Sequence, residues 1–440
     1  MNAWPRIERD LPARLTDVAT ETRPDYLDDA FFGRMADIRQ RPAWVFPERW
    51  LPVDISTRAV PAARLPWRQL GVLALIGILV AATIAFYVGS QQQQLPAPFG
   101  PAANGDVAYA QAGDIYAGDP ATGDVKPIVS GTELDVEPRW SRDGTRVVFK
   151  REIQGDDALG VQLFVAHADG SGLTLVTPEP VTLTPSILGE PWAQYDFSPD
   201  GRSVLIAAMI DGTPTISIAA SDGSGIRHLD VGQPAFEPSF RPPNGSEILF
   251  VGRSGLNHDV MAVDPATGAV RTIVTAPSDY DLAGATWSPD GASISYWTWG
   301  GPGSDDGLSA HNHIVSADGT GDRALPAPSG ALWDALATWS NDGTRLFIAR
   351  GYGPFLEDVR AVVIPADGSS MGLELLYDGL NGSECCASVL WAPDDSAILI
   401  SPTDALGVPK QQVIVDPGGG AARTAPWASS SDPAWQRVAP

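Results

Sequence analysis

Lysine is nearly missing from this chain. Its 440 residues hold three, Lys126, Lys150 and Lys410, and Lys and Arg together number 29 against 53 Asp and Glu. The formal net charge is −24. Nucleic-acid binding is driven by Lys and Arg neutralising phosphates, so this balance argues against a nucleic-acid partner. Cysteine is as scarce, with two residues, adjacent at Cys385 and Cys386. That excludes a disulfide framework and a zinc ribbon. Histidine numbers five and first occurs at His167, so the N-terminal segment lacks the usual ligands of a structural zinc site. No cofactor or metal motif stands out, and none is expected.

What the chain does have is turn chemistry. Gly (45), Pro (39) and 14 Trp fit many short strands joined by tight loops, and fit a helical bundle poorly. The length exceeds one compact core and implies two parts or a repeat array. Charge is unevenly spread. Residues 1–68 are almost neutral, with 11 Arg and 10 acidic residues, while the rest holds 18 basic and 43 acidic ones.

One long uncharged run, Leu70 to Val88, separates these regions. At about 1.5 Å per residue it reaches across a bilayer core as a single helix. It starts too far into the chain for a signal peptide. Arg49, Arg58, Arg64 and Arg68 precede it, and no basic residue follows until Lys126. The positive-inside rule then places the N-terminus in the cytoplasm and the acidic bulk outside the cell membrane. The expected organisation is a cytoplasmic helical segment (1–68), a transmembrane helix (69–89), a polar, Pro-rich stalk (90–104) and an extracytoplasmic domain (105–440).

The outer part repeats itself. An aromatic residue and a polar turn recur at Trp140-SRDG, Phe197-SPDG, Phe240-RPPNG, Trp287-SPDG, Trp339-SNDG and Trp391-APDD, each followed by an apolar run. A second apolar run then leads into a turn such as ADGSG or SDGSG. Pro fixes φ, Asp caps the turn and Gly accepts positive φ, so each unit reads as four strands with tight first and last turns. Such spacing matches the blades of a propeller. Residues 107–129 lack an aromatic first strand, and DPAWQ around Trp435 supplies one, which predicts an all-β propeller of seven blades closed by the C-terminal strand. Six blades is the alternative if one degenerate unit fails to form.

The stretches WSRDGTRVVF, FSPDGRSVLI and WSPDGASISY resemble the TolB-like, WD-repeat-like propeller repeats of bacterial envelope proteins. The resemblance covers roughly residues 105–437 and implies a fold far more than a chemistry.

In the N-terminal segment, Thr22-Arg-Pro-Asp25 reads as a helix start, and Leu27, Phe31, Met35 and Ile38 then share one helical face. The face suits either a hairpin resting on the membrane or a helix pair bound to another protein. A short inner segment, one span and an outer propeller resembles membrane-bound anti-sigma factors, without their zinc motif. That resemblance implies a sigma factor as cytoplasmic partner and a regulatory role in transcription. An envelope scaffold with no signalling role is the alternative.

Other motifs carry less. Gly368-Ser369-Ser370-Met371-Gly372 matches the nucleophile elbow of serine hydrolases, but it sits where other units have a hairpin turn, and no His follows it. His311 and His313 share a strand face without a third ligand. Cys385 and Cys386 could close a strained vicinal disulfide or remain two thiols. A non-enzymatic binding role is therefore expected. The long, varied segments all fall between second and third strands or between units, which would gather Trp192, Trp299, His311, Tyr352 and Phe355 on one face. Those residues are the candidates for binding a protein, peptide or glycan.

Overall fold

The computed structural model describes residues 75–77, 99–153, 160–184, 195–255, 257–300, 310–353, 358–377, 379, 388–404 and 408–439. The chain divides into two compact units, Met1–Gln91 and Gln92–Pro440. In the first, only Leu75–Gly77 are described, and they are helical. Most of the Leu70–Val88 run, and the face of Leu27, Phe31, Met35 and Ile38, lie outside the described residues. Among the described residues no helix is long and apolar enough to cross a membrane.

The second unit consists of seven four-stranded antiparallel sheets, which sets aside the six-bladed alternative. Blade 1 is built from Ala434–Val438, Ala103–Gln111, Asp114–Gly118 and Val125–Val129. Blade 2 runs through Leu134–Trp140, Arg146–Glu152, Val161–His167 and Thr174–Leu175, and blade 3 through Tyr195–Phe197, Ser203–Ile210, Thr213–Ala220 and Ile226–Leu229. Blade 4 holds Ala235–Phe240, Ile248–Ser254, Asn257–Val263 and Val270–Val274. Blade 5 holds Tyr280–Trp287, Ser293–Gly300, Ala310–Ser316 and Arg323–Ala324. Blade 6 holds Trp333–Trp339, Arg345–Gly351, Val359–Pro365 and Leu373–Glu374, and blade 7 Ser388–Trp391, Ile398–Ser401, Val413–Val415 and Arg423–Thr424. The C-terminal strand closes the ring, with Trp435 opposite Val107 and Ala434 opposite Ala108.

The first strand of blade 1 thus comes from the far end of the chain. Ala103 and Asn104, read from sequence as the end of a stalk, already pair with Val438 and Arg437. Pro and Gly in that stretch suggested a free linker, but Gly100 and Ala102 have their backbone groups bonded to the propeller: the Ala102 N–H donates to the Pro393 carbonyl at 2.8 Å.

The core lies between blades. Ala108, Ile115 and Ala117 of blade 1 pack on Val136, Val147 and Phe149 of blade 2, and Tyr109 and Trp435 of blade 1 pack on Leu399 and Ile414 of blade 7. A strand covered on both faces cannot alternate apolar and polar residues, which is why the second strands read as continuous apolar runs such as Val147, Val148 and Phe149. First strands contact their counterparts in neighbouring blades and form the innermost ring.

Four of those first strands carry a bulge at the same place. Register shifts between Val136 and Arg139, Phe236 and Ser239, Ala283 and Thr286, and Ala335 and Thr338. The bulged residues Glu137, Glu237, Gly284 and Leu336 have φ of 53°, 52°, 60° and 60°. An extra residue in the left-handed region bends a strand and re-aims its side chains, here beside the central axis.

Candidate functional site: the central cavity and the loop ends

One face of the propeller is made of the repeated turns. In blade 2 the Ser141 hydroxyl donates to Asp143 Oδ1 at 2.6 Å, and the same oxygen accepts the Thr145 N–H at 3.0 Å. Ser198–Asp200, Ser288–Asp290 and Ser340–Asp342 repeat the arrangement. Burial pushes the carboxyls of Asp143, Asp200, Asp290 and Asp342 up, but these hydrogen bonds more than offset it and hold all four below the ordinary range.

Four links run from one blade to the next. The Gln436 amide donates to the Gly144 carbonyl (2.6 Å), Arg146 to Gly201 (2.5 Å), Arg241 to Gly291 (3.0 Å) and Arg345 to Asp395 (3.4 Å). The same three arginines lie 5.5, 5.0 and 4.9 Å from the ring centroids of Phe197, Trp287 and Trp391, the repeated aromatics of the next blade.

At the centre of the turn face lies a cavity of about 340 Å³ on the propeller axis. Apolar wall comes from Trp287, Leu336, Trp339 and Leu390, and charge from Arg139, Arg142, Arg437 and Asp432. The Arg139 guanidinium is 3.5 Å from the Asp432 carboxylate. Burial raises the Asp432 carboxyl above its ordinary range even beside that arginine. Phe99 and Gly100 enter from the turn face. Arg142 sits 5.3 Å from the Phe99 ring centroid, and Arg437 donates to the Gly100 carbonyl at 2.6 Å and to Asn341 Oδ1 at 3.0 Å.

The opposite ends of the strands carry the segments that do not follow the repeat. Trp299 ends the second strand of blade 5, and with Asn257, Asp279, Tyr280, Asp281 and Gly300 it lines a second, more open cavity of about 340 Å³. Asp281 is engaged there, accepting the His258 N–H at 2.9 Å. His311 is exposed at the start of the third strand of blade 5, with Thr298 opposite it. Tyr352 follows the second strand of blade 6 and lies under Arg360, 4.4 Å from its ring centroid. By topology these three belong to one face, on two adjacent blades. Trp192, Phe355, Cys385 and Cys386 lie outside the described residues.

The Ser369–Ser370 segment is a hairpin turn between third and fourth strands, with Gly368 at φ 71° and the Ser369 N–H bonded to Asp367. His313 is 3.2 Å from Asp322 and stacks on Tyr296. Among the described residues no group of three or more His, Cys, Asp or Glu is placed to hold a metal. Sequence reasoning missed the arginines of the central cavity and Phe99. The one local signal was Arg142 in the SRDG turn, where the other units place Pro or Asn.

Neither a protein-family model nor a curated protein matches this chain. Solved structures do. The periplasmic gluconolactonase of Pseudomonas aeruginosa is 15% identical with a TM-score of 0.50, covering 76% of this chain and 99% of that one. An oligogalacturonate lyase from Vibrio parahaemolyticus is 11% identical with a TM-score of 0.50, covering 74% and 84%. TolB from Acinetobacter baumannii is 15% identical with a TM-score of 0.46, covering 75% and 81%. At such identities the likeness is one of fold alone, a β-propeller. Solved structures with that fold include a lactonase and a lyase, so activity has to be argued from the site.

Proposed function

We propose that this chain is a membrane-anchored, non-enzymatic binding protein whose propeller stands outside the cell and takes a protein, peptide or glycan on its loop face. The reading rests on one asymmetry. On the turn face, the groups of the Ser–Asp–Gly turns satisfy one another within each turn and, at four places, reach the next blade. The opposite strand ends carry the long, non-repeating segments together with Trp299, His311 and Tyr352. Variable loops on a rigid scaffold are the usual seat of recognition, with aromatic residues as anchors.

The inner segment is proposed to relay or tether, with Leu27, Phe31, Met35 and Ile38 against a cytoplasmic partner. A sigma factor is the specific candidate, which makes the whole an anti-sigma-like regulator. Four such side chains contribute about 1.5–3 kcal/mol each before ordering costs.

The test is capture with the full chain in mild detergent, compared with Phe31→Asp and with a Trp299→Ala/Tyr352→Ala double variant. A sigma factor recovered by the parent and lost only with Phe31→Asp supports the regulator. Partners lost only with the loop-face variant support a scaffold without signalling. If neither variant changes what is recovered, both binding surfaces are wrong.

A further inference from the structure

The four bulged first strands do not carry equivalent side chains at the bulge. Blades 2 and 4 place Glu137 and Glu237 there, and both carboxylates are engaged, one with Lys150 and the other with the Gly284 N–H at 2.9 Å. Blade 5 has Gly284, and blade 6 has Leu336 at φ 60°. A left-handed backbone suits glycine or asparagine and strains a bulky residue such as leucine. Leu336 is also the one bulge residue of the four that lines the central cavity, and it is half-buried. A residue kept in a strained conformation points to a use for its side chain. Here the strain sets an apolar side chain against the cavity, where two other blades carry a carboxylate.

The polar groups of the same wall are turned toward the protein. Arg139 and Asp432 pair at 3.5 Å. Arg142 lies over the Phe99 ring and acts favourably on the Asp196 carboxylate. Arg437 donates to the Gly100 carbonyl and to Asn341 Oδ1. The Asn341 amide nitrogen donates to the Ala392 carbonyl and to Asp395, each at 2.9 Å, and the Thr286 hydroxyl shares a hydrogen bond with Ser295. An ionic ligand would shed its hydration and compete with these bonds for its partners. A neutral apolar one would meet the exposed parts of Trp287, Leu336, Trp339 and Leu390 and disturb none of them.

We propose that the central cavity is a binding site for a small, neutral, apolar molecule, held against Trp287, Leu336, Trp339 and Leu390. The volume is at the lower end of small-molecule pockets, so the occupant is about one ring in size. Phe99 and Gly100 form part of the wall, so the ligand touches the residues that lead into the propeller. This site is separate from the loop face, and it stands or falls independently of that reading.

Fluorine NMR of the full chain in detergent tests this, with detergent alone as the blank. The neutral probe is 4-fluorobenzyl alcohol, and 4-fluorobenzoate and 4-fluorobenzylammonium are its charged counterparts on the same ring. The expected result is a saturable shift and broadening of the alcohol signal, with a dissociation constant on the order of 1 mM. Both ions should bind about tenfold more weakly or not at all. Leu336→Glu should weaken the alcohol about tenfold or more, because it sets a charge against the ring. Leu376→Glu, at a 70% exposed leucine on the outer edge of blade 6, should leave it unchanged. Glutamate is chosen because the same bulge carries it in blades 2 and 4. Leu336→Trp, which fills the cavity, should also remove binding, and it decides the matter should the glutamate variant show a lowered melting midpoint. No saturable binding of the alcohol, equal binding of either ion, or binding that survives Leu336→Trp overturns the proposal.

Discussion

Arg350 is 2% exposed, an unusual place for a guanidinium. It lies there because Asp334, directly opposite on the first strand of blade 6, meets it through two bonds of 2.7 and 2.9 Å. The Pro326 and Met371 carbonyls accept its other donors at 3.0 and 2.8 Å. Blade 2 repeats the pair with Arg151 and Asp135, where the arginine is partly exposed at 19%. A buried pair is weak evidence of net stability, but breaking one side leaves a bare charge in the interior. Arg350→Met should therefore cost about 3–5 kcal/mol, and Arg350→Met with Asp334→Asn should recover much of it. Arg151→Met should cost clearly less, since water reaches that site. Urea unfolding of the variants checks this; equal losses at both blades would show that burial does not set the cost. Nothing in the sequence marks these pairs. Their register depends on the bulge at Leu336 or Glu137, and spacing alone does not count the extra residue.

Turns were the most legible elements, because their chemistry is local: Ser, Asp and Gly within one tetrapeptide satisfy one another. The ties between turns were not legible. Arg146, Arg241 and Arg345 act on residues in the next blade, and no pattern within a unit shows that. Glycine matters here for space as well as for φ. A Cβ at Gly291 (φ 68°) would overlap the Pro242 carbonyl of the preceding blade, so Gly291→Ala should destabilise by more than the roughly 1 kcal/mol of a strained backbone. The turn aspartates also set an acid limit. Asp143, Asp200, Asp290 and Asp342 are more acidic folded than unfolded. They add stability above the unfolded value of about 4, and it is lost as pH falls through their folded values. Asp196 and Asp432, raised by burial, act with the opposite sign and partly offset this. Melting midpoints should therefore drop below about pH 4, and Asp342→Asn should show a smaller acid loss. An acid loss unchanged in that variant would remove these turns as the cause.

At the scale of the molecule, the ring is held shut by one strand. Seven blades were legible because residues 107–129 lack an aromatic first strand and Trp435 offers one. The central cavity was not, because it brings residue 99, two arginines of blade 2 and Arg437 together only after closure. Ala434–Val438 fills the innermost position of blade 1, where the Trp435 indole N–H donates to the Gly105 carbonyl at 3.2 Å and Gln436 reaches the Gly144 turn of blade 2. Without that strand, Ala103–Gln111 becomes an open edge and the turn lattice loses a link. A ring of blades then becomes an open arc with two unsatisfied ends. Deleting residues 431–440 should abolish cooperative unfolding of the propeller, whereas Trp435→Ala should keep the transition and lower stability by about 3–5 kcal/mol. Thermal unfolding followed by near-ultraviolet circular dichroism distinguishes the two. A truncated chain that melts in one sharp step at the parent midpoint would mean that six complete blades hold the seventh in place, and that closure by the C-terminal strand adds little.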